Sequence, residues 1–269
     1  MKLNVFVNGR PVAVLDSPDG FAHVLNYRPE ATEEDFVSLL MPVQTQSWVW
    51  PTLHPFFQVS LPEGFLLAVL KEQLGPHLGA RALELLAVVG KNTIGRVQVS
   101  ASDDLVAAGV PSFELAELLH GDNSPATFVA LVREYAMSGV SGVVPKFLTP
   151  ETQARFMKAS LATDRYIIKG SSERLPFVAL NEHLCMEVVR HTGYPTPHTE
   201  VSDDGKALVV ERFDIEQKTG QRLGFEDACS LLGLPPEDKY QSTWERVARL
   251  TREFVSGENV RKAQEFLLF

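Results

Sequence analysis

The sequence predicts an α+β protein made of three consecutive units, and three patterns lead to this prediction. An Asn-Gly pair between stretches of alternating apolar residues marks an opening β-hairpin, and leucine-rich helical patterns follow it. Strand, helix and strand patterns then alternate between residues 145 and 213, and only helical patterns come later. We therefore expect an α+β unit over residues 1–100, a second unit over 101–214, and the first helices of an all-α unit over 215–269.

The first unit opens with Asn8 and Gly9, a pair favoured in type I′ hairpin turns because both central residues need positive φ. Apolar residues recur at helical spacing over residues 65–74 and 82–89, with a proline and a glycine between the two stretches. A strand over residues 96–99 is expected to rejoin the hairpin. The result is a compact unit in which helices cover one sheet.

Two tryptophans lie close to a pair of phenylalanines within this unit. Trp48 and Trp50 precede Phe56 and Phe57 by only a few residues. Such a cluster can form an exposed aromatic surface for a partner. It can equally belong to the core of the first unit, and this second interpretation is the one we favour.

The second unit begins with helical patterns over residues 113–120 and 127–137, which lead into a glycine- and serine-rich segment. A short apolar run ending in Lys169 predicts a buried strand. The Asp-Asp-Gly sequence at residues 203–205 predicts the turn of a later hairpin. The third unit is then expected to consist of the helical patterns at 225–232, 243–255 and 260–269.

The glycine-rich segment, Ser-Gly-Val-Ser-Gly-Val-Val-Pro-Lys at residues 138–146, has the chemistry of a phosphate-binding loop. Gly139 and Gly142 would let backbone N–H groups approach phosphate oxygens with no Cβ in the way. Ser138 and Ser141 add hydroxyl groups at the same place, and Lys146 could contact phosphate or cap the loop. Taken alone, a segment of this kind is more often an ordinary turn.

Lys169 ends a strand whose other residues are apolar, so its charge needs a partner. Phosphate oxygens are one candidate, and Glu182 on the following helical pattern is another, because kinases pair a strand lysine with a helix glutamate. Glu182 could instead be an acid that favours a helix N-terminus. The apolar residues of that helical pattern are Leu184, Cys185, Val188 and Val189.

The order of these features is more specific than any one of them. A loop of small residues, a strand ending in lysine and a second apolar strand ending in Glu-Arg-Phe-Asp at 211–214 are the parts of a kinase nucleotide cleft. Phosphoryl transfer depends mainly on positioning the phosphates and neutralising their charge. The sequence therefore predicts a nucleotide-binding phosphotransferase.

The same motifs resemble the HipA family, the serine/threonine kinase toxins of bacterial toxin–antitoxin modules. Besides the glycine-rich segment, the similar motifs are Ile-Ile-Lys, Asn-Glu-His-Leu-Cys and Val-Glu-Arg-Phe-Asp. The first unit adds an opening hairpin at 5–14, the Phe-Phe…Leu-Pro-Glu-Gly stretch at 56–64, and residues 89–97. The resemblance covers essentially the whole chain and implies a protein-kinase-like small lobe followed by a helical large lobe.

The resemblance also implies roles for particular residues. Residues 139–146 become the phosphate loop, Lys169 the ATP-contacting lysine, and Glu211 and Phe213 the hinge whose backbone meets adenine. The implied cofactors are ATP and Mg²⁺. The implied partners are a HipB-like DNA-binding antitoxin and a protein substrate, typically an aminoacyl-tRNA synthetase whose phosphorylation arrests growth. Some members phosphorylate their own glycine-rich loop, which makes Ser141, and secondarily Ser138, a candidate regulatory site.

One part of a kinase is not found in these 269 residues. The family's Asp-x-His-x-x-Asn loop and its later tyrosine-aspartate pair do not occur after Asp214. We therefore expect no catalytic residue and no phosphotransfer from residues 1–269. A shortened chain, a split gene and a non-catalytic module that binds antitoxin or nucleotide would each account for this, and the first is favoured.

A second enzymatic interpretation uses His120, Gly121 and Asp122, which are similar to the His-Gly-Asp motif of small-molecule phosphotransferases. The motif precedes the glycine-rich segment, whereas a catalytic loop follows the ATP-contacting lysine in kinase-like folds. Because it also follows a helical pattern, we interpret Gly-Asp-Asn as the end of a helix and a turn.

Composition limits the classes of function. The chain has 25 basic and 34 acidic side chains and a net charge of −9, which argues against direct, nonspecific binding to nucleic acid. No apolar run is long enough to cross a membrane, and the N-terminus lacks a signal-peptide pattern. Cys185 and Cys229 are expected to be core thiols of a cytoplasmic protein. The histidines show no spacing typical of a metal site.

Overall fold

The structure is a computed structural model that describes residues 1–61, 81–105, 115–128, 130, 159–162, 165–173 and 175–268. Two antiparallel sheets organise it, one of five strands and one of four, and helices pack beside them. This confirms the predicted α+β class. The boundaries predicted at residues 100 and 214 stay predictions.

The first sheet has the strand order β4-β3-β2-β1-β5. Asn8 has φ 49° and Gly9 has φ 78°, so both adopt the positive φ that a type I′ turn between β1 and β2 needs. The strand predicted at 96–99 pairs with β1 and forms the edge of the sheet on that side. The strands are β1 (Lys2–Val7), β2 (Arg10–Asp16), β3 (His23–Tyr27), β4 (Trp48–Trp50) and β5 (Val97–Ser100).

One face of this sheet is covered by the helices α1 (Pro55–Gln58) and α2 (Ala82–Val89). The second of them confirms the helix predicted at 82–89, whereas the helix predicted at 65–74 lies outside the described residues. Together they enclose an apolar core whose large, fully buried members include Leu3, Leu15, Leu25, Met41, Phe57 and Leu86.

The tryptophan pair lies at the edge of that core. Trp48 and Trp50 stack with their ring centroids 6.2 Å apart and pack, partly buried, against the core residues. Val49 between them is exposed, because successive residues of a strand point to opposite faces. Both indole rings therefore pack against the core of the first unit, as we favoured from the sequence, and both stay partly exposed.

The second sheet has the order β6-β7-β9-β8 and is crossed by α4 (Val178–His191). Its strands are β6 (Ala159–Ala162), β7 (Tyr166–Gly170), β8 (Thr199–Val201) and β9 (Ala207–Glu211). The predicted turn at 203–205 joins β8 to β9, with Gly205 at φ 70° and the Ser202 hydroxyl bonded to Asp204. The helix α3 (Leu115–His120) precedes this unit and ends where the sequence predicted.

The last part of the chain is helical, as predicted, with different bounds. The predicted helix at 225–232 is only α5 (Ala228–Leu231), because the Asp227 carboxylate accepts the N–H of Cys229 and starts the helix there. Two longer helices follow, α6 (Trp244–Phe254) and α7 (Gly257–Leu268). Within the described part of the chain, no helix has both the length and the apolarity needed to cross a bilayer.

Candidate functional site

Lys169 occupies the fourth position of β7, between two neighbouring strands. It is paired with Leu208 of β9 and with Ser160 of β6. Because side chains alternate along a strand, Lys169 shares a face with Ile167, which packs with Leu208 and Val210 in an apolar cluster. This is the face on which α4 lies, so the lysine is directed toward that helix.

Glu182 meets Lys169 from α4. The helix buries Ala179 against the sheet, and positions three and seven residues later, Glu182 and Met186, lie on the same side. The Glu182 carboxylate accepts a hydrogen bond from the Lys169 ammonium in an ion pair, and each side chain is only 21% exposed. The pairing predicted between strand lysine and helix glutamate is thus present.

The opposite side of α4 corrects an expectation from the sequence. Of the four apolar residues in the predicted pattern, Leu184, Cys185 and Val188 are exposed, and Val189 is only half-buried. The sheet is covered instead by Ala179 and Met186, which are fewer but correctly spaced. Cys185 is therefore not a core thiol, whereas Cys229 is buried as expected, and burial raises the pKa of its thiol.

The glycine-rich segment lies outside the described residues, and so do Ser138, Gly139, Ser141, Gly142 and Lys146. Parts of the chain that come earlier and later in the sequence are described, and two of them, Phe128 and β6, contact the strand that carries Lys169. Before the segment, the buried ring of Phe128 packs on Gly170, where an added Cβ would lie 2.5 Å from Phe128 Cδ1. After the segment, β6 pairs with β7 along its length.

The predicted hinge residues lie at the end of β9, beside β7. Glu211 is paired with Tyr166, and its N–H donates to the carbonyl of His198 at 2.9 Å. Phe213, just beyond the strand, is 47% exposed, and its ring centroid lies 5.7 Å from that of Phe225. Three residues of strand separate Glu211 from the partner of Lys169, about 10 Å along the sheet.

Two further residues of the hinge were given no role from the sequence. Arg212 and Asp214 form a buried ion pair in which Nε donates to Oδ1 at 2.9 Å and Nη2 to Oδ2 at 2.5 Å. Each side chain is 1% exposed. The signal available in the sequence was an arginine and an aspartate two positions apart, just after the apolar strand.

Asp214 is charged although it is buried. Burial by itself would raise the pKa of its carboxyl group, but hydrogen bonds from Arg212 and from the N–H of Gly95 outweigh that effect and hold the pKa below its ordinary value. A carboxylate with three donors in place is a stable anion, so this ion pair is a fixed element of the site.

The alternative motif near His120 has a structural role. His120 and Asp203 form an exposed pair with Nδ1 3.0 Å from Oδ2. The Asp122 carboxylate accepts from the backbone and hydroxyl of Ser124 and from Thr127, which lowers its pKa. These bonds cap the following turn of helix, in agreement with the prediction of a helix end.

No group of three or more His, Cys, Asp or Glu side chains in the described residues is placed to hold a metal ion. A four-stranded antiparallel sheet whose strand lysine is held by a helix glutamate, next to a strand that ends in an exposed hinge, is the arrangement found in kinase small lobes.

Comparison with family models identifies the chain further. The model described as the HipA N-terminal domain matches residues 3–100, and that of the HipA-like C-terminal domain matches residues 138–269. Between them the two models account for most of the sequence. The chain belongs to the HipA family.

Known proteins that are similar to this chain include a curated protein and a solved structure. A curated protein of Sinorhizobium fredii (strain NBRC 101917 / NGR234), described as "Putative kinase Y4mE", is 27% identical over 222 residues, which are 77% of this chain and 52% of that protein. The chain thus spans about half the length of the curated relative. The HipA toxin in a complex of HipA, HipB and operator DNA from Shewanella oneidensis MR-1 matches with TM-score 0.60 and 17% identity. That match covers 93% of this chain and 64% of the other.

Proposed function

We propose that this chain binds an adenine nucleotide between β7, β9 and the glycine-rich segment. The observation that supports this best is the ion pair between Lys169 and Glu182, which holds a lysine at the position where kinases contact nucleotide phosphates. The lysine has four flexible methylene groups and partial exposure, so its ammonium can reach a phosphate while the glutamate keeps it oriented.

The remaining roles follow from the same cleft. The backbone at Glu211 and Phe213 would meet the base, at a separation from Lys169 comparable with that between the base and the phosphates of a nucleotide. Gly139, Ser141, Gly142 and Lys146 would surround the phosphates. Two described parts of the chain, Phe128 before that segment and β6 after it, contact β7.

Mg²⁺ would enter this site with the nucleotide. The described residues offer no cluster of carboxylates for it, so we assign no Mg²⁺ ligand among them. Mg²⁺ would neutralise the charge of the phosphates, and it is normally held by only one or two carboxylates in addition to the substrate phosphates.

For a full-length protein with this sequence, we propose the chemistry of the HipA family, which is ATP-dependent phosphorylation of a serine on a cellular protein. An aminoacyl-tRNA synthetase is the expected substrate, and growth arrest is the expected result. Ser141, or secondarily Ser138, would be the site of regulatory autophosphorylation. A HipB-like antitoxin would be the controlling partner, by analogy with the Shewanella complex, in which a HipA protein is assembled with HipB and operator DNA.

Nucleotide binding tests the first proposal directly. Lys169→Met should weaken ATP binding in isothermal titration calorimetry by about 10- to 100-fold, since a hydrogen bond to a charged group contributes about 1.5–3 kcal/mol. Lys262→Met, which removes an exposed lysine from α7, is the matched control and should bind as the unmodified chain does. Equal ATP affinity of the two variants would show that Lys169 does not contribute to nucleotide binding.

A further inference from the structure

The hinge is connected to the first sheet unit by a compact turn. Residues 93–95, here called the docking turn, lie between α2 and β5. The carbonyl of Thr93 accepts from Arg212 Nη2 and from Arg222 Nη1, both at 3.0 Å. The N–H of Gly95 donates to Asp214 Oδ2 at 2.6 Å. Backbone groups of one unit thus hold side chains of the other.

The docking turn has little freedom to move. The Thr93 hydroxyl donates to the carbonyl of Val97, which closes the turn on itself. Gly95 has φ 91°, and a Cβ added to it would lie 2.9 Å from Phe225 Cβ. Only glycine combines that backbone conformation with so close an approach.

These contacts lie on both sides of Phe213. Arg212 and Asp214 extend to one side of the chain and are buried against the docking turn, while Phe213 between them is exposed on the other side. The backbone of Phe213 therefore lies between two anchored residues, and the groups that bind their side chains include Thr93 and Gly95 of the first unit.

A second connection joins the same two parts of the molecule away from the hinge. The Glu226 carboxylate accepts from the Ser38 hydroxyl at 2.5 Å and from the N–H of Leu39 at 2.8 Å. This contact fixes the docking of the first unit as well, but it does not touch residues 211–214. It provides an internal comparison for the role of the docking turn.

We infer that Asp214 and Arg212 are positioning residues of the nucleotide hinge and that the docking turn is the support against which they hold it. The inference rests on the proposed nucleotide site. Through the docking turn, the first unit would support the backbone that contacts the nucleotide base.

The test compares two ligands, ATP and inorganic tripolyphosphate, which has no base. Asp214→Asn should weaken ATP binding at least tenfold and leave tripolyphosphate binding within twofold, because only the base contacts the hinge. Lys169→Met should weaken both ligands. Glu226→Gln should lower the unfolding temperature while leaving the affinity for ATP within twofold.

Hydrogen exchange of the nucleotide-free chain provides a second measurement. Asp214→Asn should speed exchange at residues 211–214 at least tenfold, and Glu226→Gln should not. If Asp214→Asn fails to fold, Arg222→Met, which removes one donor to Thr93, is examined by the same two measurements and should shift both in the same direction.

Three results would overturn the inference: a folded Asp214→Asn variant with unchanged ATP affinity and hinge exchange, equal losses for ATP and tripolyphosphate in that variant, or an equal effect of Glu226→Gln on the hinge. If the unmodified chain binds neither ligand, the proposed function fails. Hydrogen exchange at residues 211–214 then still decides whether the docking turn holds these residues in place.

Discussion

His54 is a buried histidine at the start of α1, where its Nδ1 accepts the N–H of Phe56 at 3.2 Å. Burial lowers the pKa of the ring from 6.5 to about 4. The folded protein therefore keeps His54 neutral at pH values at which the unfolded chain protonates it. Since the unfolded state binds more protons between about pH 6.5 and 4, stability falls as the pH falls through that range.

This gives a prediction at the scale of one residue. Between pH 7 and pH 5 the free energy of unfolding should fall by about 2 kcal/mol more in the unmodified chain than in His54→Asn, which keeps a capping acceptor without the titration. Urea unfolding at the two pH values measures it. His120→Asn, at an exposed histidine, should behave as the unmodified chain, and identical pH dependence in all three proteins would contradict the assignment.

At the scale of elements, β7 depends on the absence of a side chain at Gly170. The buried Phe128 ring fills the space that a Cβ would occupy, with three ring carbons within 2.7 Å of its position. Phe128 belongs to the helical residues that lead toward the glycine-rich segment, and Gly170 directly follows Lys169. This contact therefore holds Phe128 against the strand that carries the lysine.

Gly170→Ala should destabilise the fold by about 1–3 kcal/mol through overpacking. Combining it with Phe128→Leu should recover part of that loss, because a smaller side chain makes room for the methyl group. Gly257→Ala is the matched control, since its added Cβ meets nothing within 4 Å and no positive φ is needed there. Denaturant unfolding of Gly170→Ala, Phe128→Leu, the double variant and Gly257→Ala measures the effect. A double variant that loses the sum of the two single losses would contradict the packing explanation.

The molecule as a whole carries a net charge of −9. Such a net charge disfavours direct binding to the phosphate backbone of DNA, so we expect contact with an operator to come through a basic partner. The proposed HipB-like antitoxin fits that requirement.

The chain alone should not retain operator DNA in a gel-shift assay at low salt, whereas the chain with its antitoxin should retard the DNA further than the antitoxin does alone. The antitoxin without the chain is the control. Retention by the chain alone would contradict the prediction of no direct nucleic-acid binding. If the chain does not add to the retardation by the antitoxin, the antitoxin is not its partner.

The sequence by itself determined the parts of the molecule that depend on neighbouring residues. The turn at Asn8 and Gly9 follows from backbone sterics, the strand that ends in Lys169 from a run of apolar residues, and the helix that carries Glu182 from 3.6-residue periodicity. The family also followed from the sequence, because its motifs occur in a fixed order along the chain.

Only the tertiary structure decided which surfaces meet. Local periodicity placed Leu184 and Cys185 on an apolar stripe, but the sheet selected the side of α4 that carries Ala179 and Glu182. The buried pair of Arg212 and Asp214 depends on Gly95, more than a hundred residues earlier in the chain. Contacts between residues so far apart depend on how complete units dock, and no local pattern records that docking.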